Sequence, residues 1–228
     1  MKKVIFTSNL DKYDKIKPII KQQGWNYINF IDWEISEKEK NNSNWTFVMI
    51  PDYVKNMNIS SFKKQRYIKL HPHLFFKDYD LSLYIDSTYT IFGDINNLIL
   101  RILSPDYNIV MPEHPDRNKV YDELNEVALR RREKKSKVKI VRERYNKENF
   151  EDNYGLVEGN FILRRHNEKD CIDIMEKWWN EILMYSHRDQ LSFNYVLWKE
   201  HKKAKFISKK LILHFFHQSL HEKKVRWI

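Results

Sequence analysis

Residues 81–95 read LSLYIDSTYTIFGDI. Leu81, Leu83, Tyr84 and Ile85 form a nearly continuous run of strand formers, the pattern of a strand covered on both faces, and the run stops on Asp86. Ser87 and Thr88 then add hydroxyls, and GDINNLILRIL places Ile95, Leu98, Ile99 and Ile102 on one helical face. A buried strand, a polar stop and an amphipathic helix make one unit of an α/β fold.

The same alternation extends in both directions. KKVIFTS reads as a first strand, and DKYDKIKPIIKQQGW as a polar loop leading into a short helix. WNYINFID and NWTFVMIP read as the second and third strands, the latter closed by Pro51. SSFKKQRYIKLHPHLF predicts a helix that breaks at Pro72, and DLSLYIDSTYTI is the central strand. Downstream, Val120, Leu124, Val127, Val138 and Val141 mark a helical stripe enclosing the basic run RRREKKSKVK, read as a solvated helix face. GLVEGNFILRRHN returns to a strand, and CIDIMEKWWNEILMYS and DQLSFNYVLWKEH are two more helices. Strands alternating with helices predict a mostly parallel central sheet flanked by helices.

The chain has 228 residues, 42% of them hydrophobic, enough to fill the core of a single domain over 1–228. Four glycines, six prolines and 14% aromatics exclude collagen-like and disordered classes. Cys171 stands alone, which excludes an internal disulfide and suits a reducing, cytoplasmic setting. The apolar run after the first two lysines is too short for a signal-peptide core, and no window is long enough to span a bilayer. A formal charge of +10 predicts an anionic partner: nucleic acid, a lipid surface or a phosphorylated substrate.

In a parallel α/β sheet, ligands bind beyond the carboxyl ends of the strands, and Asp86 ends one. Two readings are open for it. A carboxylate there takes a divalent cation that bridges a diphosphate, or it caps the turn through Ser87 or Thr88. Asp189 and Gln190 stand together near a predicted helix N-terminus, where the carboxylate is stabilised by the macrodipole. Such a pair suits a sugar: the carboxylate takes a proton or stabilises positive charge, and the amide bonds hydroxyls.

Four blocks carry a resemblance: RYIKLHPHLFFKDYDLSLYIDSTYTI, MPEHPDRNKVYDE, GLVEGNFILRRHN and WWNEILMYSHRDQLSFNYVLWK. In this order they resemble the TOD- and MUCI-type glycosyltransferase-like domain, which is similar to GT-A nucleotide-sugar transferases. The resemblance implies transfer of a sugar from a nucleotide donor, a UDP-sugar, to a hydroxyl of a glycan or glycoconjugate. It divides the chain into a nucleotide-binding half (1–110), an acceptor and sugar half (111–205) and a basic, aromatic tail (206–228). Asp86 falls at the Asp-x-Asp element of such folds, with Thr88 in place of the second Asp. A manganese or magnesium ion would then draw on Asp86, Thr88 and late histidines, His214 and His217 being preferred over His221. The resemblance also implies base and ribose contacts from Thr7, Ser8, Tyr13 and Asp32, and diphosphate neutralisation by Arg66 and Lys69, which share a helix face. Ser87, Glu158, Gly159 and Asn160 would lie near the donor, and His114, Arg117 and Tyr121 near the acceptor. Asp189 and Gln190 take the anomeric centre.

Two other classes use the basic run. As a nucleic-acid binder it would need interleaved aromatics, and none interrupts RRREKKSKVK. As a peripheral anchor on anionic lipid it is compatible with transfer to a membrane-bound acceptor.

Overall fold

Period-two alternation sets the layers. On β1 (Lys3–Ser8), Val4 and Phe6 enter one hydrophobic core and Ile5 enters another on the opposite face. In the computed structural model, which describes residues 1–221, the chain continues through β2 (Trp25–Ile31), α1 (Glu37–Ser43), β3 (Thr46–Met49), α2 (Asp52–Lys55), α3 (Ser61–Leu70) and α4 (Pro72–Phe75). Then come β4 (Leu81–Ile85), β5 (Tyr89–Ile91), α5 (Ile95–Ile102), β6 (Ile109–Pro112), α6 (Val120–Leu129) and α7 (Lys135–Lys147). The order closes with β7 (Phe161–Arg164), α8 (Lys169–Met184), a 3-10 turn (Asp189–Leu191), α9 (Phe193–Lys199), β8 (Lys205–Ile207), α10 (Lys209–Leu213) and β9 (Phe216–Gln218).

Seven strands form the central sheet in the order β3-β2-β1-β4-β7-β6-β8. The pairs β1/β2, β1/β4, β2/β3 and β6/β8 are parallel, while β7 runs antiparallel to both of its neighbours. The sheet is therefore mostly parallel, as its buried strands imply. Helices α3, α6, α7, α8 and α9 bury their apolar residues on the face that holds Val4, Phe6 and Trp178. α5 and α10 cover the other face, where Asp94 caps α5 through the backbone N–H groups of Asn96 and Asn97.

Three expectations need correction. Residues 9–24 hold no helix: Asp11 and Lys12 are left-handed, and the Asn9 side chain bonds backbone atoms of Asp14 to close a turn. The stretch 81–91 is not one strand. β4 ends at Ile85, and β5 pairs with β9 in a separate two-stranded sheet, which lays residues 216–221 across the loop after Asp86. The helical stripe through the basic run is two helices, broken where Arg131 turns left-handed (φ 52°) and Glu133 is buried. Glu133 accepts from the Ser186 hydroxyl (2.7 Å) and pairs with His187 Nδ1 (2.9 Å), so the run folds back instead of presenting one basic face.

The pinning has a pH signature. Burial raises the Glu133 carboxyl, but bonds from His187, Lys134 N–H and Ser186 outweigh it and hold it at about 2. A carboxyl depressed in the folded state adds stability above its ordinary range, lost as pH falls through the folded value. Unfolding free energy, followed by urea titration between about pH 5 and pH 2, should therefore fall more steeply in the wild type than in Glu133→Gln. Parallel curves would mean that Glu133 pins nothing.

No helix among the described residues is long and apolar enough to cross a membrane.

Candidate active site

The carboxyl ends of β1 and β4 meet at one edge of the sheet, and β7, being antiparallel, begins there. Its lead-in is tied to β4 by Asp86 N–H donating to the Asn160 carbonyl (2.9 Å). Asp86, Glu158, Gly159 and Asn160 thus share one edge although the chain separates them by about seventy residues. With Asp189 and Gln190 they line an open cavity of about 1050 Å³. A narrower inner chamber of about 140 Å³ adjoins it, lined among others by Ser8, Tyr13, Phe62, Asp86, Arg188 and His221.

α3 lines the inner chamber with a mostly polar stripe, and its Arg66 reaches both chambers. Phe62, Gln65 and Arg66, at i, i+3 and i+4, line the inner chamber, and Lys69, at i+7 on the same stripe, lies buried beneath Gly159. Lys69 is 1% exposed and forms an ion pair with Asp189, and Arg66 Nε lies 3.2 Å from the same carboxylate oxygen. Burial pushes the Asp189 carboxyl up, but Arg66, Lys69 and Arg188 outweigh it and hold it well below the usual carboxylate range. Burial draws the Lys69 ammonium down, and Asp189 opposes this. From β7, the buried Arg164 donates to the Lys69 carbonyl (2.9 Å) near the C-terminal end of α3, which seats the lysine from behind.

Gly159 covers this pair. A Cβ added there would come within 2.6 Å of Lys69 Nζ and 2.7 Å of Asp189 Oδ2, so the backbone approaches as only glycine allows. Gly159→Ala should cost about 1–3 kcal/mol by overpacking, measured by thermal or urea unfolding. An unchanged midpoint would show that the ion pair moves aside freely.

Asp86 Oδ1 accepts from the Tyr84 hydroxyl at 2.7 Å. Thr88 lies on the outer cavity with its buried hydroxyl unbonded, and Ser87 donates to Asp14. Tyr13 meets Phe62 and His221 edge-on at 5.4 and 5.3 Å between ring centres, so three rings flank the inner chamber. Glu158 pairs with Lys209 and accepts from Asn160 Nδ2 (3.1 Å).

Not every expected residue reaches the cavity. Thr7 is buried within β1, and Asp32 accepts from Asp11 N–H (2.9 Å), holding the loop after β1. His114 lines the outer cavity, but Arg117 turns to Glu123 (2.7 Å) and Tyr121 packs on Phe150. His214 and His217 are exposed and stand outside both chambers; of the three late histidines the one that lines them is His221, whose Nδ1 lies 2.8 Å from Asp14 Oδ2. Residues 222–228 lie outside the described part of the chain.

Cations missed in the sequence complete the site. Arg132 and Arg188 line both chambers, and Arg130 and Arg131 the outer one. Arg188 donates to Gln190 Oε1 (3.1 Å), while its Nε is buried without a hydrogen bond. Adjacency to Asp189 could have flagged Arg188. Nothing in the linear pattern distinguishes Arg130, Arg131 and Arg132 from a solvated run.

The GT-A relation implies a divalent metal, and the residues present do not fit a resident one. One oxygen of Asp86 is engaged by Tyr84, His221 is engaged by Asp14, and among the described residues no three His, Cys, Asp or Glu side chains gather to hold an ion. Arg66, Arg132 and Arg188 line both chambers with guanidinium groups.

The profile of the TOD1/MUCI70 glycosyltransferase-like domain matches residues 27–225. The chain belongs to this family. Its fold is GT-A-like, in agreement with two solved structures. The glycosyltransferase GlyE of Streptococcus pneumoniae TIGR4 superposes with a TM-score of 0.51 at 12% identity, over 90% of this chain and 45% of that one. The bifunctional glycosyltransferase WbbM superposes with a TM-score of 0.50 at 12% identity, over 90% of this chain and 38% of that one. The chain thus spans less than half of either structure. No curated protein matches it in sequence.

Proposed function

We propose that this family member transfers a sugar from a nucleotide donor, a UDP-sugar, to a hydroxyl of a glycan or glycoconjugate. One observation carries the reading: Asp86 and Asp189, 103 positions apart in the chain, line a single cavity with Arg66, Arg132 and Arg188 between the sheet edge and the 3-10 turn.

The inner chamber takes the nucleoside, its rings offering flat faces and Ser8, Asn9 and Gln65 offering polar edges. The diphosphate then lies at the junction of the chambers, where Arg66, Arg132 and Arg188 line both. As the bond between the anomeric carbon and the diphosphate oxygen breaks, negative charge grows on the departing phosphate, and preorganised guanidinium groups stabilise it. Asp189 is held too acidic to be an effective proton acceptor. Its part is to hold Lys69 and Arg66 in place, while Gln190 meets sugar hydroxyls. Asp86 presents the carboxylate oxygen that Tyr84 leaves free to the donor or to the incoming hydroxyl.

The test is a screen of nucleotide release from UDP- and GDP-sugars, in manganese and in EDTA, for the wild type and Arg188→Gln. We expect a UDP-sugar to be turned over at comparable rates in both conditions, and Arg188→Gln to lose ~10²–10³ in rate, as for removal of one preorganised donor. Background release from every donor would reject the function, and a strict manganese requirement would reject the arginine clamp.

A further inference from the structure

Two arginines of the outer chamber stand apart from those that also line the inner one, and one of them, Arg131, has no carboxylate partner among the described residues. The chamber's three carboxylates are each engaged: Asp189 by Lys69 and Arg66, Glu158 by Lys209, and Asp86 by the Tyr84 hydroxyl. Against them stand Arg66, Arg130, Arg131, Arg132 and Arg188. Arg66, Arg132 and Arg188 also line the inner chamber and are taken by the diphosphate, but Arg130 and Arg131 line the outer one alone. Arg130 pairs with Glu126, while Arg131 and Arg132 make no ion pair among the described residues.

This arginine turn is built, not frayed. Arg131 is left-handed, and its N–H donates to the Ala128 carbonyl (3.3 Å); Arg132 N–H donates to the Val127 carbonyl (2.9 Å). Directly after it Glu133, 2% exposed, is bonded to Ser186 and His187, which fastens the turn to the segment that carries Arg188, Asp189 and Gln190. A merely solvated basic run needs no buried carboxylate to aim it. The chamber rim adds exposed Leu129 and Leu220 and the polar groups of His114, Gln218 and Ser219.

Resting on the proposed transferase reading, we infer that the outer chamber selects an acceptor bearing an anionic group, a carboxylate or a phosphate, beside its accepting hydroxyl, with Arg130 and Arg131 as the specificity-determining residues. Guanidinium groups match both anions through paired, charge-assisted hydrogen bonds.

The test uses the whole chain saturated with UDP and titrates it calorimetrically with three matched methyl glycosides: a neutral hexoside, the hexuronide and the hexoside 6-phosphate. At least one charged ligand should bind about tenfold more tightly than the neutral one, the ratio a charge-assisted hydrogen bond supplies. Which of the two leads distinguishes carboxylate from phosphate. The preference should shrink towards unity in Arg130→Gln/Arg131→Asn, the asparagine chosen to keep the left-handed backbone, and at about 0.5 M salt, where charges are screened within a few ångströms. Equal binding of all three ligands overturns the inference, as does a preference that survives the double variant with an unchanged melting temperature. Absence of UDP binding by the wild type is a different failure: it removes the donor reading and this inference with it.

Discussion

Replacing Asp189 by alanine should destabilise the fold by about 3–5 kcal/mol, because it strands buried cations without a counter-charge. Asp189 is 5% exposed and Lys69 1%, with Arg66 and Arg188 close by. The same logic makes the cost conditional. Lys69→Met should offset part of it, since an apolar side chain of similar length has no charge to desolvate, so the double variant should be more stable than Asp189→Ala alone. Urea unfolding of the two single variants and the double variant measures the coupling. Additive costs would mean that the pair, although adjacent, is not the interaction that holds α3 against the 3-10 turn.

Asp86→Asn should behave in the opposite way. The side chain is half-buried at the end of β4, and its hydrogen bond from the Tyr84 hydroxyl is one that asparagine can keep through its carbonyl. Stability should change by less than about 1 kcal/mol, while turnover of the donor falls by ~10²–10³, the scale of losing one charged group at a reacting centre. Melting curves beside nucleotide-release rates separate the outcomes. A large drop in melting temperature with turnover retained would make Asp86 a turn cap and move the chemistry elsewhere.

The contrast between the two aspartates shows what a linear pattern can carry. β4 and the helix after it were legible because their apolar residues repeat at strand and helix periods, and Asp86 was legible because it interrupts one of those repeats. Asp189 was visible beside Gln190, but not its partners: Lys69 and Arg66 lie 120 and 123 positions away. The polar stripe of α3 was also present in the sequence, as a helix whose inward positions are Gln65, Arg66 and Lys69, and such a stripe points to a site when its neighbours are core. The break in the basic run was not legible. It depends on Glu133 being buried against Ser186 and His187, a contact across 53 and 54 positions that no local propensity reports. The place of His214 and His217 outside both chambers was not legible for a related reason: pairing of β9 with β5 sets how the tail crosses the site, and His221 is the tail histidine that lines it.

Hydrogen exchange tests the central claim most directly. If one cavity between Asp86 and Asp189 holds the nucleotide, saturating UDP should slow backbone exchange in the segments 8–13, 86–88 and 187–190 together, in the same titration and with the same midpoint. Protection confined to one of the three segments, or to none, would contradict a shared site.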